Sequence, residues 1–533
     1  MVSCDIITKT AKRLCKRRKC MEVSDDAHHK SDSSVNMLTL GLLLFTILIA
    51  VYVNMEKVNP QTDVITTKNR SEAIQKNYTE EKLIVPLPTT TKVKNETAKK
   101  KKKKDTITNS YDKNIISKLS EGDKLYEQKK YPKCISYFEK LHNKYSLSPR
   151  AIYSKALCLE KLSEIQRSNE MLLKAVLAYG EVAKQPKITS KLLKLSLITQ
   201  AKKYIFLGQS RKAIASLSDL NQRLPNETDV MNELGIAHMI AGANKQAYPM
   251  FQKVLNLDPT NGVANSHVGF ILKMDSKYKE CIPYLLAGVR SGAIGADDSK
   301  FYFHLGDAYN RLHQNTKAWE IYQEAAAKKI FPSAEQRSIY NAQTKLRAQP
   351  WWTKEETGYE KHFRLLERHW ATIRDEGLSL LNKEKTAFQL ETEKLTEKGD
   401  WRQFDLYNQG RKETKNCAKT PRTCELLMKM ADATSNQRGQ IKFSIMQPGT
   451  HVWPHTGPTN CRLRSHLGLV VPKNVYIRAG NETRTWQNGK VIVFDDSFDH
   501  EVWHNGTQAR MILIIDFWHP DVPQWEKKTL RPI

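Results

Sequence analysis

Hydrophobic and polar positions fall into successive textures along the 533 residues. Residues 37–53, MLTLGLLLFTILIAVYV, carry no charge and predict one membrane-spanning helix. Seventeen residues lie at the short end of a bilayer span, ~17–25 residues. From 54 to 112 apolar positions thin out and Thr, Lys, Asn and Glu dominate. Such a segment cannot bury enough surface to fold alone and predicts a flexible, disordered stalk. From 113 to 345 apolar residues recur with a helical period. Gln349-Pro350-Trp351-Trp352 breaks that pattern, and 357–387 returns to amphipathic helix. Beyond 440 the runs are short: IKFSIM (441–446), LRSHLGLVV (463–471), VYIRAG (475–480), KVIVFD (490–495), HEVWH (500–504) and RMILIIDFW (510–518). Gly, Pro and Asn turns separate them, which predicts strands.

The helical part repeats itself. Segments 232–259, 266–289 and 303–326 align on Gly235, Gly269 and Gly306, in steps of 34 and 37 residues. Looser copies cover 122–141 and 151–220. A small residue in the first helix, an aromatic in the second and this period resemble a tetratricopeptide repeat. Each helix pair buries its apolar face by stacking on the next, so an all-α solenoid is expected. An unrelated helical bundle is the competing reading, and nothing in this region looks catalytic. The short strands of 346–533 predict a jelly-roll barrel, a double-stranded β-helix with a ligand in its mouth. A chain of this length divides into several domains.

Charge decides the orientation. The net charge of +28 is concentrated in Lys9–Lys19 and in the unbroken run Lys99–Lys104. Such blocks are solvated tails, and no recognition motif makes nucleic acid an expected partner. Residues 1–36 form a basic tail, while the twenty residues after the span carry only Lys57, Lys68 and Arg70. Positive charge stays in the cytosol, so the chain reads as a single-pass type II anchor with everything beyond the span outside the cytosol. A cleaved signal is the alternative, but the run starts at 37, behind a long polar tail. All six N-x-S/T sequons lie beyond the span, at Asn69, Asn77, Asn95, Asn226, Asn481 and Asn505. Cys417 and Cys424 enclose a short polar loop; an oxidising lumen would allow a disulfide, and two free thiols are the other reading.

The chemistry gathers in HVWPHTGPTNCRLRSHLG (451–468), where three histidines and two arginines fall within sixteen residues. His455 and His500 each stand at the edge of a predicted strand, and such positions can meet across a barrel mouth. Neutral imidazole suits iron or zinc. A facial triad would place Asp or Glu two residues after the first histidine, where this chain has Gly457, so spacing alone favours a structural pair over a ligating one. Arg510 lies within an apolar strand. A buried arginine asks for an anion, either a ligand carboxylate or one of Asp495, Asp496 and Asp516. Arg462, Arg464 and His466 alternate onto one face of a strand and suggest a positive wall. His451 and His504 read as surface or packing residues, and Cys461 as a buried apolar one.

Residues 439–520 resemble the oxygenase domain of the aspartyl/asparaginyl β-hydroxylase family. The resemblance rests on GQIKFSIMQPGTHVWPHTGPTNCRLRSHLGLVVP, NETRTWQNGKVIVFDDSFDHEVWHN and IDFWHP. It runs back more weakly through AQPWWTKEETGY, LERHWATIRDEGL and EKGDW, and the domain order matches. That family has a two-histidine iron site with glycine in place of the carboxylate. The resemblance therefore implies that His455 and His500 bind Fe(II), with Asp496 a partner through water. It implies that Ser444 and Arg510 hold the distal carboxylate of 2-oxoglutarate, with Arg464 and His466 near its other end. Gln440 and Arg462 would face the substrate side chain, Tyr340 and Trp401 would line the groove, and Cys417–Cys424 would be a disulfide. The implied activity is β-hydroxylation of Asp or Asn in epidermal-growth-factor-like domains, using O2, at the endoplasmic reticulum membrane with the catalytic domain lumenal. The loop LETEKLT (390–396) departs from the family: Glu391 and Glu393 remain acidic, while Thr392 and Thr396 replace charged residues. Two other classes compete: a membrane-anchored tetratricopeptide scaffold without activity, and a zinc hydrolase, which lacks a third ligand and a general base.

Overall fold

The computed structural model describes residues 106–533. The basic tail, the apolar run 37–53, nearly all of the stalk, Asn69, Asn77, Asn95 and the lysine run lie outside the described residues. Among those described, no helix is long and apolar enough to cross a membrane.

Six antiparallel helix pairs follow a short turn of helix at Ser110–Lys113. They are α1 (Ile116–Glu127) and α2 (Tyr131–Lys144), α3 (Pro149–Gln166) and α4 (Asn169–Val182), and α5 (Ser190–Phe206) and α6 (Ser210–Arg223). Then come α7 (Thr228–Ile240) and α8 (Asn244–Leu257), α9 (Gly262–Met274) and α10 (Tyr278–Val289), and α11 (Ser299–Arg311) and α12 (Asn315–Ala327). Ser148, Ser168, Thr189 and Asn261 cap their helices by accepting an amide hydrogen three residues on. The glycine register explains the repeat. A β-carbon on Gly122, Gly235, Gly269 or Gly306 would stand 2.3, 2.6, 2.6 or 2.0 Å from Phe138, Phe251, Leu285 or Tyr322. Each partner lies sixteen residues on, so one backbone approach recurs along the solenoid. Residues 109–112, expected within a flexible stalk, are instead folded in: Asn109 caps the first turn and buried Asp112 accepts from Ser148.

The second half is built on two antiparallel sheets. The strands are β1 (Trp351–Trp352), β2 (Gln389–Leu390), β3 (Thr396–Lys398), β4 (Trp401–Asn408), β5 (Arg411–Lys412), β6 (Gln440–Met446) and β7 (His451–His455). They continue as β8 (Arg462–Val470), β9 (Val475–Ala479), β10 (Glu482–Arg484), β11 (Val491–Phe494), β12 (His500–His504) and β13 (Arg510–Trp518). The larger sheet runs β1-β11-β8-β13-β6-β4-β2, with β5 on β4; the smaller runs β10-β9-β12-β7-β3. From β6 to β13 the chain passes back and forth between the sheets, as in a jelly roll. Met446, Phe494, Ile512 and Ile514 from one sheet meet Val452, Ile477, Ala479 and Val502 from the other in one buried cluster. Helices α13 (Glu360–Arg368) and α14 (Trp370–Lys383) cover the back of the larger sheet with Phe363, Leu366, Ile373 and Leu380.

The link between the halves is a brace. Gln336 donates to Ser497 (2.8 Å), and buried Arg337 pairs with Asp499 while lying 4.0 Å over the Tyr322 ring. The boundary expected at 345 falls inside this segment, which belongs to both sides. Cys417 and Cys424 are joined, and so are Cys134 and Cys158, a bridge between α2 and α3 that the sequence did not suggest. Cys461 is buried and free. Asn226, Asn481 and Asn505 are all exposed on loops.

Candidate functional site

His455 ends β7 and His500 begins β12; the two stand directly opposite across the strand pair, with ring centroids 4.0 Å apart. Each Nδ1 is engaged by a backbone carbonyl two residues back: His455 with Trp453 (2.7 Å) and His500 with Phe498 (2.9 Å). Those carbonyls fix the Nδ1–H tautomer and leave both Nε2 lone pairs free, the state a metal requires. Among the described residues neither Nε2 has a hydrogen-bond partner. Burial holds both imidazoles below their ordinary pKa, with the His455 ring adding to it at His500, so both are neutral. No third His, Cys, Asp or Glu among the described residues completes a cluster around them.

Gly457 explains that gap. A β-carbon there would stand 2.5 Å from Asp496 Oδ2, so the space for a side chain at 457 is filled by the Asp496 carboxylate. Asp496 is not open to solvent. It pairs with Arg462 (2.7 Å) and Arg464 (3.1 Å), and Asp516 pairs with the same two arginines (3.2 and 2.8 Å). Burial pushes the Asp496 carboxyl up, but the two guanidinium charges overcome it and hold the group below the usual carboxylate range. The positive wall expected from Arg462 and Arg464 is therefore neutralised from within. Arg462 also donates to the Arg438 carbonyl (2.6 Å) and is fully engaged, so it braces the site rather than offering a free cation.

Arg510 is different. It is 2% exposed and none of the carboxylates offered by the sequence reaches it. Its Nη2 donates to Ser444 Oγ (3.1 Å), its Nε has no partner among the described residues, and its guanidinium lies 4.8 Å over Trp486. Burial alone pulls it down to about 9. Ser444 Oγ also accepts from Trp401 Nε1 (2.9 Å), which leaves the hydroxyl hydrogen to donate elsewhere. His466 Nε2 is buried without a partner as well. These groups line an inner cavity of about 30 Å³ that also reaches His455 and His500. Unmet donors at one end and two imidazole lone pairs at the other fit an anion bound next to a metal.

A larger cavity of about 450 Å³ opens outward from the histidine pair, between the barrel and helices α9 and α11. Its wall holds a residue that motif reading passed over. Lys442 is 6% exposed, and its ammonium bonds only to the neutral oxygens of Gln403 (2.6 Å) and Gln440 (2.7 Å). Burial, then the Arg464 charge, holds it below the ordinary lysine value. A lysine inside an apolar strand was the available signal. Gln440 lines this cavity, and Trp401 lines both. Tyr340 does not: its side chain is 49% exposed, while its backbone braces the loop at Pro458 and Thr459. Glu391 turns inward to accept from the amides of Glu393 and Leu395, whereas Glu393 stays exposed at the cavity edge. His451 bridges Glu397 and Glu501, and His504 is buried.

The fold and pocket define a jelly-roll protein with a two-histidine site beside a buried arginine that no carboxylate among the described residues pairs. Residues 367–520 match the family described as Aspartyl/Asparaginyl beta-hydroxylase. A Mus musculus aspartyl/asparaginyl beta-hydroxylase is 48% identical over 434 residues, 81% of this chain and 58% of its own length. The Homo sapiens protein of that name is 48% identical over 437 residues, 82% of this chain and 57% of its own. Aspartate beta-hydroxylase domain-containing protein 2 of Xenopus tropicalis is 37% identical over 181 residues, 33% of this chain and 49% of its own. Residues 367–520 are thus similar to the aspartyl/asparaginyl β-hydroxylase family, and the chain spans a little over half the length of the first two relatives.

Proposed function

We propose that the chain is an Fe(II)- and 2-oxoglutarate-dependent dioxygenase that hydroxylates the β-carbon of Asp or Asn in epidermal-growth-factor-like domains. The observation that carries this reading is the facing pair His455 and His500, both with free Nε2, in one cavity with an unpaired buried Arg510.

The two imidazoles are the residues that would hold the iron, and Asp496 stands beside them where a third ligand's side chain is excluded. Iron and cosubstrate, once bound, would supply the oxidative chemistry, dividing O2 between succinate, formed with loss of CO2, and the new hydroxyl. The rest is the work of this chain's side chains. Arg510, Ser444 and the His466 Nε2–H would supply buried donors for a carboxylate in the inner cavity. Lys442 faces the outer cavity, where a substrate carboxylate or amide would be oriented, while Arg464 lines both cavities. The α9 and α11 wall would receive the flanking polypeptide. Arg311 ties that wall to the 390–396 loop through the Lys394 carbonyl (2.8 Å).

Two disulfides suit an oxidising compartment. With the sequons and the apolar run 37–53, they favour a type II anchor in the endoplasmic reticulum membrane. The test is to incubate the purified chain with Fe(II), ascorbate, 2-oxoglutarate and an Asp-containing epidermal-growth-factor-like domain. The reading expects a gain of one oxygen on that Asp, dependent on 2-oxoglutarate and absent in His455→Ala. A scaffold would leave the domain unchanged.

A further inference from the structure

Three histidines share the inner cavity, yet they are not chemically alike. His455 and His500 carry their protons on Nδ1, pinned by backbone carbonyls. His466 is held the other way. Its Nδ1 lies 3.2 Å from the indole Nε1 of Trp486, a group that only donates. Nδ1 must therefore present its lone pair, and the proton of the neutral ring sits on Nε2. That Nε2 is buried, has no acceptor among the described residues and belongs to a ring lining the cavity. Trp486 is itself 2% exposed, in the segment between β10 and β11, and its ring also lies under the Arg510 guanidinium at 4.8 Å.

We propose that Trp486 is a positioning residue that sets His466 as a hydrogen-bond donor to the cosubstrate carboxylate, keeps it out of the metal's ligand set, and seats Arg510 beside it. The proposal rests on the oxygenase reading for the identity of the anion; the tautomer does not depend on it. One indole N–H thereby separates histidines of one pocket into two ligands and one donor. Reversing the His466 tautomer would point a third lone pair into the cavity and withdraw a donor from the anion.

The experiment uses the full chain and Trp486→Phe, which keeps a buried aromatic ring but removes the N–H. In the metal-free protein, isotope-edited NMR of labelled histidine reads the tautomer. The wild type is expected to show His466 protonated at Nε2, and the variant to gain the Nδ1–H form. In the Mn(II)-loaded protein, titration with 2-oxoglutarate is expected to weaken about tenfold in Trp486→Phe, the scale of one hydrogen bond to a charged group. In a His466→Ala background the same substitution should then cost little more, because its effect passes through His466. An unchanged tautomer in the variant, or an equal loss in both backgrounds, would overturn the proposal. If the variant does not fold, wild-type His466 protonated at Nδ1 would overturn it alone. If wild type binds no 2-oxoglutarate, the oxygenase reading fails while the NMR still judges the role of Trp486.

Discussion

Gly457 and Asp496 occupy one another's space. A β-carbon at 457 would lie 2.6 Å from the Asp496 carboxyl carbon, and the Gly457 amide donates to the Asp496 carbonyl at 2.5 Å. A carboxylate introduced at 457 therefore cannot simply complete a three-ligand site. Gly457→Asp is expected to displace Asp496 from Arg462 and Arg464 and to lose about 3–5 kcal/mol of stability, the scale of a broken buried ion pair. Denaturant unfolding measures it. A variant as stable as wild type that binds Fe(II) more tightly would contradict the reading.

Arg510 predicts a variant that is sturdier and inactive. A buried guanidinium without a carboxylate is unfavourable in the empty protein, and apolar replacement of buried charges is often neutral or stabilising by about 1–4 kcal/mol. Arg510→Met should keep or raise the melting temperature while 2-oxoglutarate affinity falls at least tenfold. Calorimetry and thermal melting on one preparation separate the two effects.

Lys442 should split substrate from cosubstrate. Its ammonium lines the outer cavity, held by two glutamine oxygens, and is absent from the residues around the inner one. Lys442→Met is expected to raise KM for an Asp-containing domain at least tenfold, the scale of a charge-assisted hydrogen bond. The 2-oxoglutarate affinity should be unchanged. Equal loss of both would show that the lysine supports the whole pocket instead.

Asp495 gives a pH signature. Burial raises its carboxyl to about 8, against the two bonds it accepts from Ser497. Below the unfolded value near 3.8 both states are protonated and its contribution is fully present. As pH rises towards 8 the unfolded chain ionises first, so this contribution to stability is lost across that window. Asp495→Asn should flatten the fall in melting temperature over the same range. Parallel wild-type and variant profiles would exclude it.

How much of this was readable in advance depended on where each residue's partner lies. The repeat was legible because Gly235, Gly269 and Gly306 meet partners sixteen residues on, inside one helix pair. His455 and His500 stood out because their chemistry is rare at strand edges. His455 was placed at a strand edge, but 451–455 itself was not among the predicted runs, since HVWPH holds a proline and polar rings rather than an alternating apolar run. The pairing of Arg462 and Arg464 with Asp496 and Asp516 was missed because it joins β8 to a distant turn and to β13, which local charge patterns cannot show. Cys134–Cys158 went unseen because each cysteine sits in an ordinary amphipathic helix.

The most direct measurement of the central claim is the fate of labelled dioxygen. The chain would be supplied with Fe(II), 2-oxoglutarate, an Asp-containing epidermal-growth-factor-like domain and isotopically labelled O2, and both products read by mass spectrometry. The account predicts one labelled oxygen in the hydroxylated Asp, one in succinate, equal amounts of the two, and neither product in His500→Ala. A hydroxyl drawn from water, or modification that proceeds without 2-oxoglutarate, would contradict it.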